Sequence, residues 1–97
     1  MLRFEWDPAK AKANQRKHKV TFKEAATVFR DPLSITFYDP DHSEGEDRFL
    51  TVGYSTWGRP LIMAHTERRE RIRIISAREL TRGERQAYEE ESNRRKK

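Results

Sequence analysis

The chain has 97 residues, enough for one domain and too few for two. Hydrophobic residues make up 34% and charged residues 38%, so the core must be thin, and the lack of cysteine excludes disulfides and thiolate metal sites. No apolar run approaches the roughly 18–20 residues that span a membrane, and Met1 to Asp7 lacks the apolar stretch of a signal peptide, so the expected location is the cytoplasm.

In chain order, residues 2–6 read as a short strand. Asp7-Pro8 is an N-cap followed by proline at the first helical position, predicting a first helix from Pro8 to about His18 with a weakly apolar face, Ala9 and Ala13. Thr21 and Glu24 match a capping box, with Val20 and Ala25 placed as its staple. Phe22, Ala25, Ala26 and Phe29 then recur at helical spacing up to Asp31-Pro32, predicting a short buried helix. From Leu33 the period changes to two. Strands are predicted at Leu33–Phe37, Arg48–Tyr54, Leu61–Thr66 and Arg71–Ile75, with an acidic loop over 39–47 and turns over 55–60 and 67–70. Ser76 and Glu79 fit another capping box, so a C-terminal helix is expected from Ala77, with Leu80, Ala87 and Tyr88 as its apolar stripe. The expected architecture is an α+β domain over residues 1–92, with a basic frayed tail at 93–97. It has an antiparallel four- to five-stranded sheet, two N-terminal helices and one C-terminal helix, the helices packing on one sheet face and the other partly open.

The net charge of +5 is unevenly spread. Residues 1–30 carry +5, residues 31–54 carry −5, residues 55–78 carry +4 with arginine as the only basic residue, and residues 79–97 carry +1. Arginine forks bind phosphate bidentately and stack on bases, so the third quarter suits either a nucleic acid or, equally, scattered surface arginine with no ligand. The three histidines, His18, His42 and His65, stand at no metal-ligand spacing, and there is no phosphate-binding glycine loop, so neither a metal nor another cofactor is expected. What remains suits metal-free phosphodiester cleavage, which needs a base, an acid and fixed positive charge at phosphorus. The candidates are His65, Arg68, Arg73 and Arg78: a hairpin at 67–70 would bring His65 and Arg73 within one or two pairs of each other, with Arg68 in the turn and Arg78 in the first turn of the last helix. Lys17, His42, Arg48 and Arg69 are the candidate RNA-binding residues behind them. Bland alternatives stand beside these: His65 as a satisfied strand residue, His42 capping a turn, Lys17 as plain surface charge, Arg48 paired with Glu46 and Arg78 with Glu79; His18 reads as ending a helix. Tyr88 is assigned to core packing.

Several strings resemble the BrnT toxins of bacterial type II toxin–antitoxin systems: Phe4 to Asp7, Asn14 to His18, Phe22 to Ala25, Val28 to Pro32, Asp41 to Glu46 and Gly53 to Arg59. Arg73-Ile-Ile-Ser-Ala-Arg-Glu79 and Glu84 to Glu89 complete the set. One departure is Lys19, where a glycine C-cap is expected and whose loss should alter the turn. The resemblance implies a RelE-like fold and a metal-independent endoribonuclease that arrests growth. It also implies neutralisation by a cognate DNA-binding, BrnA-like antitoxin in a hetero-oligomer that reaches operator DNA only through the antitoxin. The alternative is a non-catalytic module that binds nucleic acid or protein through the same basic surface.

Overall fold

The structure, a computed structural model, describes residues 2–95. Five strands, β1 (Arg3–Glu5), β2 (Ile35–Tyr38), β3 (Phe49–Tyr54), β4 (Pro60–Arg68) and β5 (Arg71–Glu79), form one sheet in the order β1-β5-β4-β3-β2. Three α-helices accompany it: α1 (Pro8–His18), α2 (Phe22–Ala26) and α3 (Arg82–Arg95). Among the described residues no helix is long and apolar enough to cross a membrane.

The N-terminal half forms as its caps dictate. Asp7 accepts from the Ala9 N–H at 2.9 Å to start α1, and Thr21 Oγ1 accepts from the Glu24 N–H at 3.0 Å to start α2. Lys19 ends α1 in the left-handed region, φ 58°, with its N–H on the Gln15 carbonyl. The turn keeps the conformation glycine would take there, at a cost of about 1 kcal/mol for the lysine side chain. Phe22, Val20, Ala25 and Val28 pack with Leu61, Met63, Ile74 and Ala77 into the core, with Phe4, Trp6 and Phe29 closing its edge. Asn14 is the buried polar link: its side chain donates to the Val20 and Ala77 carbonyls and accepts from the Ala77 N–H, locking α1 to β5.

The sheet is mixed rather than antiparallel. β1 runs parallel to β5, Arg3 opposite Arg71 and Glu5 opposite Arg73, because Phe4 on the helix side packs against Phe29 and the β5 edge takes the N-terminal segment as its partner. The other pairs are antiparallel. The helices also divide between the faces. α1 and α2 cover one, whereas Tyr88 and Ala87 of α3 lie over Ile35, Val52 and Ile62 on the other, leaving an apolar groove of about 310 Å³ beside Phe37. Tyr88 is buried and donates to the Leu33 carbonyl and to Asp31.

The final helix begins at Arg82, not Ala77. Ser76 to Glu79 continue β5 because Ala77 is pinned to Asn14 and paired with Met63. The real box lies downstream: Thr81 Oγ1 accepts from the Glu84 N–H at 3.2 Å and Glu84 accepts from the Thr81 N–H at 2.8 Å. The tail expected at 93–97 shares three residues with α3, and its last two lie outside the described residues.

Candidate functional site

A shift in β5 decides which side chains share the open face. His65 pairs with Ile74 and Ala64 with Ser76, so Ile75 is an extra residue, a β-bulge. Strand alternation would send Arg73 and Arg78, five residues apart, to opposite faces. The bulge restores them to the same one, opposite Thr66 and Ile62 respectively, while Ile74 and Ala77 both enter the core. The string Arg73 to Arg78 thus combines two face arginines, two core residues and the irregularity between them.

Arg78 borders a cleft of about 350 Å³ floored by Leu50, Ile62, Ala64 and Ser76 and walled by Arg48, Asp39, His42 and His18. The loop between β2 and β3 is held shut under its functional side chains. Asp39 N–H donates to the Arg48 carbonyl at 2.8 Å, Ser43 Oγ donates to the Asp39 carbonyl at 2.6 Å, and Arg48 N–H donates to Ser43 Oγ at 2.9 Å. The Asp39 carboxylate lies 2.9 Å from His42 Nδ1, so it orients the ring and leaves Nε2 as the other ring nitrogen to act. Among the described residues the Arg48 guanidinium has no carboxylate partner. Arg78 is bidentate on Glu84, at 2.8 and 3.0 Å, and its fork with the Thr81 N–H holds the Glu84 carboxyl down at about 2. The Arg48–Glu46 pair considered from sequence does not form, since Glu46 binds Arg68 instead, at 2.8 Å.

Of the predicted catalytic four, only Arg78 lines this cleft. His65 cannot reach it. Its neighbours Leu61 and Met63 on β4 point into the core, and His65 follows them to the helix face, 2% exposed. It lies between Phe29 and Phe49, with Nε2 2.7 Å from Thr51 Oγ1. Burial pushes its pKa down to about 4, so at neutral pH it is an uncharged core residue. Arg73 shares the open face but binds Glu5 at 2.8 Å, and Arg68 stands at the hairpin end on Glu46. Of the secondary candidates, His42 and Arg48 join Arg78 in the cleft, Arg69 sits in the hairpin turn, and Lys17, next to His18 on α1, is exposed and does not line the cleft. His18 and Asp39 were not selected from sequence. The signal for Asp39 was its spacing, three residues before His42 across Pro40.

A second ionic cluster, buried Glu24 with Arg59, Ser55 and Glu79, ties the β3–β4 turn to α2 on the helix side. Every member is satisfied within the protein, and its role is structural.

Residues 6–84 match the family model described as "Ribonuclease toxin, BrnT, of type II toxin-antitoxin system". No curated protein matches significantly. Among solved structures the fold is similar to the crystal structure of the Brucella abortus ribonuclease toxin BrnT, with a TM-score of 0.62, 15% identity, and coverage of 84% of this chain and 100% of that one.

Proposed function

The chain belongs to the BrnT family of ribonuclease toxins of type II toxin–antitoxin systems, and we propose that it cuts RNA in the cleft between Arg48, His42, His18 and Arg78. The observation that carries this reading is the oriented Asp39–His42 pair beside two guanidinium groups on one sheet face. In the proposed reaction His42 Nε2 takes the proton of a ribose 2′-hydroxyl, and the oxygen attacks the adjacent phosphorus. The bond to the 5′-oxygen breaks, and His18, acting as the general acid, supplies that oxygen's proton. The products are a 2′,3′-cyclic phosphate and a free 5′-hydroxyl. Arg48 and Arg78 stabilise the charge that builds on the phosphoryl oxygens.

The reaction is proposed to be metal-independent. The cleft's donor set is two guanidinium and two imidazole groups with one carboxylate, Asp39, already engaged by His42, a set suited to phosphate rather than to a hard cation. The proposed setting is the cytoplasm, with an RNA substrate and a cognate DNA-binding, BrnA-like antitoxin. The antitoxin forms a hetero-oligomer with the toxin and alone connects it to operator DNA. Induced expression in a bacterial host tests the reading. Wild type should arrest growth and His42→Ala should not, with cellular RNA fragments ending in cyclic phosphate. Equal growth of both strains, with intact RNA, refutes it.

A further inference from the structure

The hairpin joining β4 to β5 sets like charges side by side. Arg3 of β1 stands opposite Arg71 of β5, and Arg71 stands opposite Arg68 of β4. Cross-strand neighbours of like charge repel, so three arginines abreast on adjacent strands are unfavourable unless an anion lies over them. Among the described residues, only Arg68 of the three has an ion-pair partner, Glu46, and Glu5 in the same cleft is held by Arg73. Arg69, at the turn, holds a positive φ of 49°, and Glu70 follows at 72°. A two-residue turn of this hand ordinarily employs glycine or asparagine, and here arginine occupies it and adds a further cation to the row. Arg3, Arg68, Arg69 and Arg71 surround a cleft of about 760 Å³ whose remaining wall is Glu5.

No apolar side chain lines this cleft, and its four guanidinium groups suit an anionic ligand that forked donors can grip, such as a phosphate backbone. It lies on the same sheet face as Arg78, seven residues away along β5 and therefore about 20 Å from it. We propose that Arg3, Arg69 and Arg71 form a second phosphate-binding subsite, which holds the backbone of the RNA strand whose scissile bond lies in the Arg48–Arg78 cleft. The inference rests on the reading above and adds a length requirement: a strand must reach from one site to the other to gain the second set of contacts.

The test is binding of 5′-labelled trinucleotide and dodecanucleotide RNA, followed by anisotropy in EDTA over a salt series, with cleavage of both measured in parallel. The double variant Arg3→Ala/Arg71→Ala changes two exposed side chains. It should bind the dodecanucleotide at least about tenfold more weakly at low salt. Its slope of log affinity against log salt should fall by about 1.4, the value for two phosphate contacts on a single strand. Trinucleotide binding, and the kcat for both RNAs, should not change. Unchanged dodecanucleotide affinity and slope, or equal losses for both lengths, overturn the subsite while leaving the cleft's activity standing. A wild-type chain that neither binds nor cuts either RNA overturns both readings. A variant that keeps its RNA affinity but loses antitoxin assigns the arginines to a protein partner and also overturns the proposal.

Discussion

The burial of His65 makes a pH experiment decisive about its role. The unfolded chain protonates this imidazole near its ordinary value of 6.5, whereas the folded chain holds it down to about 4. A base whose folded pKa is depressed binds more protons when unfolded, so stability falls as pH drops through 6.5 and the loss levels off near 4. Between pH 7 and pH 5 the difference amounts to about 2 kcal/mol. For a chain of this size that is roughly a 1 M fall in the urea midpoint, read from the fluorescence of Trp6 and Trp57. The window also separates the histidine from the carboxylates. Glu24 and Glu84, held below the usual 4.5 by Arg59 and Arg78, lose their contribution only as pH falls under that value. His65→Gln keeps a hydrogen-bonding group for Thr51 and removes the titration, so its midpoint should change little across the same range. Its RNA cleavage should stay within a few-fold of wild type, where loss of a general base costs about 10²–10⁴-fold. A wild-type midpoint that is flat from pH 7 to 5, or a His65→Gln variant with the wild-type slope, refutes the buried-neutral assignment. Loss of cleavage in a folded His65→Gln would return the residue to the chemistry.

Other consequences concern the frame that holds the cleft. Asn14→Ala removes three buried hydrogen bonds between α1, Val20 and Ala77 and should cost about 2–4 kcal/mol, seen as a large drop in Tm with the Ala77 amide losing exchange protection. Gly53→Ala places a methyl group 2.9 Å from Val28 Cγ1 and 3.1 Å from Asp31 Oδ2, and overpacking should destabilise by about 1–3 kcal/mol in urea unfolding. Glu70→Gly relieves a side chain at positive φ in the hairpin turn and should stabilise by about 1 kcal/mol, with a higher Tm and unchanged RNA cleavage.

The N-terminal half was legible because its signals are local. Asp7-Pro8 and Thr21 act within three residues of themselves, and the spacing of Phe22, Ala25, Ala26 and Phe29 needs no distant partner to be read. The β1–β5 pairing was not legible, since a strand of three residues carries no mark of which edge, or which direction, it will join. The C-terminal error has a specific cause. The bulge at Ile75 breaks strand alternation just where Ser76 and Glu79 imitate a capping box, and the contact that keeps β5 extended comes from Asn14, 63 residues away. His65 illustrates the opposite case. Its place two residues after Met63 and four after Leu61 already assigned it to the core face, but its chemistry drew it into the candidate site. Arg78 lines the cleft from β5, not from the first turn of a helix as its sequence context suggested. Arg48 and His42, ranked second, proved nearer to it than His65 because the loop 39–48 closes on itself through Ser43.

The measurement that bears most directly on the proposed activity is cleavage of defined RNA by the purified chain in EDTA, with Arg48→Ala and Arg78→Ala compared by rate and by circular dichroism. Wild type should cut. Each variant should remain folded and lose about 10²–10³-fold in kcat, the worth of a preorganised group at the developing charge. Cleavage that appears only when a divalent metal is restored, or folded variants that cut at the wild-type rate, would contradict the account.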